Sequence, residues 1–212
     1  EENLQSTNFN FKINESGNAT ASVNMEMHCL EIGNSYMWMM QDPKEKQKEW
    51  LYDYLDWGDF KINNFEAQPI TNERLPMAEI DLDLDFQKAA KITGSRMFFM
   101  PFSFNNVSGY QVPNKSRINP VEYKYPFTYT DSVHVEFPTG YTLENDYKAV
   151  NLSTQFGSYN RTMLEDGNSY VFVRTLVFNK GTYPKTDYEA FRDFVKSVQK
   201  FDRQKVVMKK VG

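Results

Sequence analysis

The sharpest chemistry available to this chain is a cysteine paired with a histidine. Cys29 is the only cysteine, and His28 and His134 are the only histidines. Nucleophilic catalysis by that pair needs a thiolate, a base within hydrogen-bond reach, and often a helix N-terminus to lower the thiol pKa. The spacing opposes it. Ala19, Ala21, Val23, Met25, Met27 and Cys29 alternate with polar residues, so the thiol falls on the apolar face of a strand. His28 is adjacent and points to the opposite face. His134 lies on the polar side of another alternating stretch. The predicted role for Cys29 is a packed core residue, and no catalytic, cofactor or metal-binding residue is assigned.

The most regular charge feature is Glu79, Asp81, Asp83 and Asp85, alternating with Ile80, Leu82, Leu84 and Phe86. Alternate strand residues sit roughly 6.5–7 Å apart on one face. Calcium could bridge such carboxylates, but calcium sites usually wrap the ion in a loop. A solvated sheet face is the simpler expectation. No pair of carboxylates has a spacing that singles it out for glycosidic chemistry. Trp38, Trp50 and Trp57, with Tyr110, Tyr123, Tyr125 and Tyr129, could stack on sugars. Trp50 and Trp57 match the buried stripe of a predicted helix, which favours packing for them. Asn18, Asn106, Asn114, Asn151 and Asn160 each open an Asn-X-Ser/Thr sequon. A chain this rich in Asn makes several by chance, so these carry little weight.

The elements that must position these residues are mostly strands. Phe9, Phe11 and Ile13 alternate, and Gly17 marks the turn into the stretch that ends at Cys29, so the two read as a hairpin. The pattern slips at Cys29-Leu30, where a bulge fits. Met97 to Phe104 and Val133 to Phe137 read as further strands. Glu165-Asp166-Gly167-Asn168 is a hairpin signal. The strand after it, Tyr170 to Phe178, is apolar on both faces except at Arg174 and Thr175, which predicts a central position. Two helices are expected, at about 43–57 and 187–201. Asp42 with Glu45, and Thr186 with Glu189, have capping-box spacing, and Gly58 offers a stop to the first helix. Trp50, Leu51, Tyr54 and Trp57 form the stripe of the first. Tyr188, Phe191, Phe194, Val195, Val198 and Phe201 form that of the second. A short strand around Val206 to Met208 ends the chain. The stretch from Asn105 to Asn119 reads as a long loop.

Composition bounds the rest. The chain has 212 residues, 40% hydrophobic and 16% aromatic, which suits a substantial β core. A net charge of −4 without a basic block argues against nucleic acid. The one basic cluster, Lys205, Lys209 and Lys210, reads as charge on an edge strand. A single cysteine rules out an internal disulfide and leaves the compartment open. No apolar run reaches the roughly 18–20 residues that span a membrane. The chain starts at Glu1 without a visible signal peptide, as a trimmed sequence would.

The second half carries a recognisable order of motifs. Arg117-Ile118-Asn119-Pro120-Val121 is followed by the stretch from Val133 to Tyr141, then Gly157-Ser158-Tyr159, Asp166-Gly167 and Tyr183. Tyr188-Glu189-Ala190-Phe191-Arg192-Asp193-Phe194 and Val206-Val207-Met208-Lys209-Lys210 close the series. From about Met97 to Lys210 this resembles the C-terminal, β-rich domain of unknown function of Bacteroidetes transglutaminase-like proteins. Nothing in the chain matches the transglutaminase core itself. The resemblance implies a non-catalytic accessory or interaction module at the C-terminus of a secreted or periplasmic protein. Its partner would be the transglutaminase-like core of the same polypeptide, with no cofactor. An independent glycan- or protein-binding β-sandwich is the alternative. The expected fold is a mainly antiparallel, jelly-roll-like β-sandwich with the two helices packed on it. Residues 1–212 are expected to form one domain, with the loop at 105–119 as the place where it would divide.

Overall fold

The computed structural model describes residues 3–28, 32–70, 77–104 and 117–211. Cys29, the bulge at Cys29-Leu30, Tyr110 and residues 105–116 of the expected long loop lie outside these residues. The fold is mainly β, with a large mixed sheet, three helices and no closed barrel among the described residues.

The large sheet has eight strands. In chain order they are β1 (Asn3–Ile13), β2 (Ala19–His28), β3 (Phe60–Ile70), β4 (Met77–Phe86), β8 (Phe127–Glu136), β10 (Val150–Thr154), β11 (Gly157–Asp166) and β12 (Ser169–Phe178). Their spatial order is β10-β11-β12-β8-β1-β2-β4-β3. The join between the two halves of the chain is the pair β1–β8, which runs parallel from Asn3↔Phe127 to Lys12↔Glu136. Its other pairs are antiparallel. A four-stranded sheet takes β5 (Lys91–Thr93), β6 (Arg96–Phe99), β9 (Tyr141–Leu143) and β14 (Val206–Lys210) in the order β5-β6-β14-β9. A two-stranded ribbon joins β7 (Val121–Tyr123) to β13 (Gly181–Tyr183). This strand order does not trace the jelly-roll-like sandwich expected from sequence.

Period-two hydrophobicity aims one face of the large sheet inward. Phe9, Phe11 and Ile13 on β1 register with Val23, Ala21 and Ala19 on β2, and those with Leu82, Leu84 and Phe86 on β4. All nine are buried. The small sheet covers them through Met97, Phe99, Val206 and Met208. At the other end of the same face, Leu176 and Phe178 of β12 meet α3 (Tyr188–Asp202) and the ribbon. Helix α3 buries Tyr188, Phe191, Phe194, Val195 and Val198, as its stripe predicts. At about 25 cal/mol per Å² of buried apolar surface, stripes of this kind dominate the stability of the fold.

Several local expectations change. The first predicted helix is α2 (Lys44–Tyr54), and its N-cap is Pro43, with no side-chain cap from Asp42. It stops three residues before 57, because Leu55 turns extended at φ −86° and ψ 101°. Gly58, with φ +81°, lies beyond that stop. Leu51 carries the buried stripe together with Gln47. Trp57 packs edge-on against Phe9 from outside the helix, 5.1 Å between centroids. An unanticipated helix, α1 (Ile32–Met39), precedes α2 and buries Tyr36 and Met39. Before α3, Lys185–Asp187 forms a 3-10 turn, so the N-cap is Asp187 without a side-chain bond and the Thr186/Glu189 box does not form. Finally, β14 is flanked by β6 and β9, so Lys209 and Lys210 stand on an interior strand, not on an edge. They pair there with Glu144 at 3.8 Å and Glu15 at 3.1 Å. No described helix is long and apolar enough to cross a membrane.

Candidate functional site

Two features stand out: a buried ionic cluster on the packed face of the large sheet, and the polar face opposite it. The cluster lies between the two apolar clusters. On that face one row runs Arg161–Arg174–Asp131–Thr7 across β11, β12, β8 and β1. All four residues are buried. Arg174 donates from Nε to Asp131 Oδ2 at 2.8 Å and makes a second contact to that oxygen from NH2. Its NH1 donates to Asp202 Oδ2 at 2.8 Å, at the last residue of α3. Tyr159 Oη donates to the other oxygen of Asp202 at 2.9 Å. Phe102 stacks below the guanidinium, 5.1 Å from ring centroid to Cζ.

Arg161 completes the tie to α3. Its NH1 donates to the Phe201 carbonyl at 2.8 Å, and its NH2 to Gln204 Oε1 at 2.6 Å and the Lys148 carbonyl at 3.1 Å. A cation at the helix C-terminus also suits the negative end of the helix dipole. Arg161 sits 4.2 Å over the Tyr147 ring. Arg161 Nε and Tyr147 Oη are buried with no hydrogen-bond partner among the described residues.

The electrostatics follow from this burial. Burial alone would lower the Arg174 guanidinium, but Asp131 and Asp202 outweigh it and hold its pKa above the ordinary value. Burial raises Tyr159, and the Asp202 carboxylate raises it further. Burial likewise pushes Tyr147 up to about 12, against the opposing charge of Arg161. Arg174, Tyr159 and Tyr147 therefore keep their protons across the physiological range. The carboxylates and carbonyls within the fold take up the guanidinium donors described above. Chemically this is a latch that seats the end of α3 on the sheet. Sequence offered one sign of it, the charged Arg174 interrupting an otherwise apolar strand.

The opposite face of the sheet is open. On β1, β2, β8 and β12 each residue of that face keeps some solvent exposure. It is dominated by Thr, Ser, Asn and acidic residues, with Val171, Val173 and Val177 at its β12 side. The acidic row lies here as expected, with Asp81 and Asp83 exposed. Asn24 on β2 donates to Glu79 Oε1 at 3.3 Å and Asp81 Oδ1 at 2.9 Å. Gln68 on β3 donates to Glu79 Oε2 at 2.8 Å. The carboxylates are thus spread along a strand and bridged by amides. Among the described residues no group of three or more His, Cys, Asp or Glu converges as a metal site.

His28 and His134 share this open face but are not brought together. His134 registers with Asn10 and His28 with Leu4, six residues apart along β1. That separates them by about 20 Å. His28 lies 3.6 Å from the Glu26 carboxylate. Of the aromatic candidates, Trp57 is core and Trp50 is half-buried, stacked on Tyr54 at 4.4 Å. Trp38 is 71% exposed, and Tyr125 is exposed as well. Tyr123 stacks on Phe178, and Tyr129 is half-buried beside it.

Comparison with known proteins gives a family and distant structural relatives. The crystal structure of a "putative protease" from Parabacteroides distasonis is similar to the chain at 19% identity, with a TM-score of 0.47. That similarity covers 55% of this chain and spans 24% of the other. No curated protein matches. The profile of the DUF3858 family, a domain of unknown function, matches residues 95–208. That stretch runs from β6 through the latch and α3 into β14. With more than half of its residues matched, the chain belongs to the DUF3858 family.

Proposed function

We propose that this chain is a non-catalytic accessory module, carried at the C-terminus of a transglutaminase-like protein of the cell envelope, and that it docks against that protein's core. The observation that supports this reading is the one-sided large sheet. One face holds the small sheet, the ribbon and the three described helices. The other offers a broad polar surface, eight strands wide, built on rigid backbone. Surfaces on regular strands hold a partner with more precision than loops do. The module is one domain in this reading, because β1 of the first half and β8 of the second share ten register positions.

The second reading, an independent glycan- or protein-binding module, draws on Trp38. Its ring stands 71% exposed near the end of α1, which suits stacking on a ligand.

Carboxyl footprinting separates the two. Asp81 and Asp83 should label readily in the isolated chain and be protected in the intact parent polypeptide. Glu165 and Asp166, exposed at the β11–β12 turn, should label equally in both. Equal labelling of Asp81 and Asp83 in both forms, or a parent gene that encodes no such core, would sink the docking reading.

A further inference from the structure

The geometry points to a second site: a depression of about 390 Å³ that takes a small zwitterion with an apolar body, the chemistry of a free aromatic amino acid or a short peptide. It opens on the packed side of the sheet, between the α2–β3 connection, the β4–β5 turn and the end of β6. It is therefore separate from the open face and does not depend on the docking reading. Phe86, Phe98 and Phe104 supply apolar walls. Lys88, Lys91 and Lys205 stand on the rim with Asp56 and Asp59, and all five are exposed. None of the five is in an ion pair among the described residues.

Lys88 carries the argument further. It is the only non-glycine residue with positive φ among the described residues, at +56°. Glycine or asparagine would hold that conformation with less strain, so a lysine there keeps an ammonium at the rim against a local preference. The turn is fixed from both sides. Lys88 N donates to Asn18 Oδ1 at 3.0 Å, Gln87 N to the Asp59 carbonyl at 2.9 Å, and Ala90 N to the Gly17 carbonyl at 2.9 Å. Gly17 permits that approach, since a Cβ there would lie 2.2 Å from the Ala90 carbonyl oxygen.

The rim charges choose the ligand. An anion alone would meet Asp56 and Asp59, and a cation alone would meet three ammonium groups. A ligand with one charge of each sign has a partner for both, while its apolar part lies on the phenylalanine walls. The volume is at the small end for ligand sites, which suits a molecule of amino-acid size.

The test is an amide chemical-shift titration of the whole chain with phenylalanine, phenylalaninamide and N-acetylphenylalanine. The last two lack the carboxylate and the ammonium respectively. Phenylalanine should give saturable shifts at Lys88, Ala89, Lys91 and Phe98, with a Kd about tenfold lower than either analogue, or about 1.4 kcal/mol. Lys88→Gly relieves the backbone while removing one charge, so it should fold normally and bind several-fold more weakly. No saturable shift with phenylalanine, equal binding of the three compounds, or unchanged binding by Lys88→Gly would each overturn the proposal.

Discussion

Replacing Arg174 with methionine would show what the buried latch contributes. The change removes all of the guanidinium contacts at once. Asp131 loses the paired Nε and NH2 contacts, and Asp202 loses NH1 while keeping the Tyr159 hydroxyl. Both carboxylates stay inside the fold, since Asp131 and Asp202 are 1% and 2% exposed. Removing one partner of such a buried pair costs about 3–5 kcal/mol, because the remaining charge is left uncompensated. For a chain of this size each kcal/mol shifts Tm by about 2–4 °C, so the melt should fall by about 6–20 °C. Urea unfolding and thermal melts measure both quantities. Replacing the whole set, with Arg174→Met, Asp131→Leu, Asp202→Leu and Tyr159→Phe, should recover most of the loss, since no buried polar group of the set then lacks a partner. A loss below about 1 kcal/mol in Arg174→Met would refute the latch as described.

Three further outcomes are expected. Phe191→Ala should lose about 3–5 kcal/mol in urea unfolding, because its ring is 4% exposed and packs edge-on against Phe156 at 5.5 Å; an unchanged Tm would count against the docking of α3. The fold holds Tyr147 near 12 against an ordinary 10.0, so this group's contribution is fully present below pH 10 and is lost as pH rises towards 12. Tyr147→Phe should therefore flatten the alkaline decline in stability and cost little at neutral pH, where its hydroxyl has no partner; an unchanged alkaline profile would contradict this. Calorimetric titration with calcium should show no micromolar binding at Glu79, Asp81, Asp83 and Asp85, and a saturable signal lost in Asp81→Asn plus Asp83→Asn would reverse that reading.

The sequence alone determined the local periodicities. Alternation in β1, β2 and β4 defines which side chains face the core. The stripe of α3 defines its buried side, and Asp166-Gly167 marks the β11–β12 turn. These follow from side-chain direction within one element, which neighbouring residues report. Helix ends were less legible, because capping-box spacing does not guarantee the cap: Pro43 and the 3-10 turn at Lys185–Asp187 set the starts instead. What only the tertiary structure decided is how distant elements meet. The parallel pairing of β1 with β8 joins residues more than a hundred positions apart, and no local pattern encodes it. Arg174 was visible as a break in an apolar strand, but its partners Asp131 and Asp202 lie 43 and 28 residues away. A lone charge in a strand reads the same whether it reaches solvent or a buried carboxylate. The strained Lys88 is equally silent in sequence, because its left-handed backbone is imposed by Asn18 and Gly17 across the fold. Burial and partner are properties of the assembled sheet, and chain closure over such distances is what folding supplies.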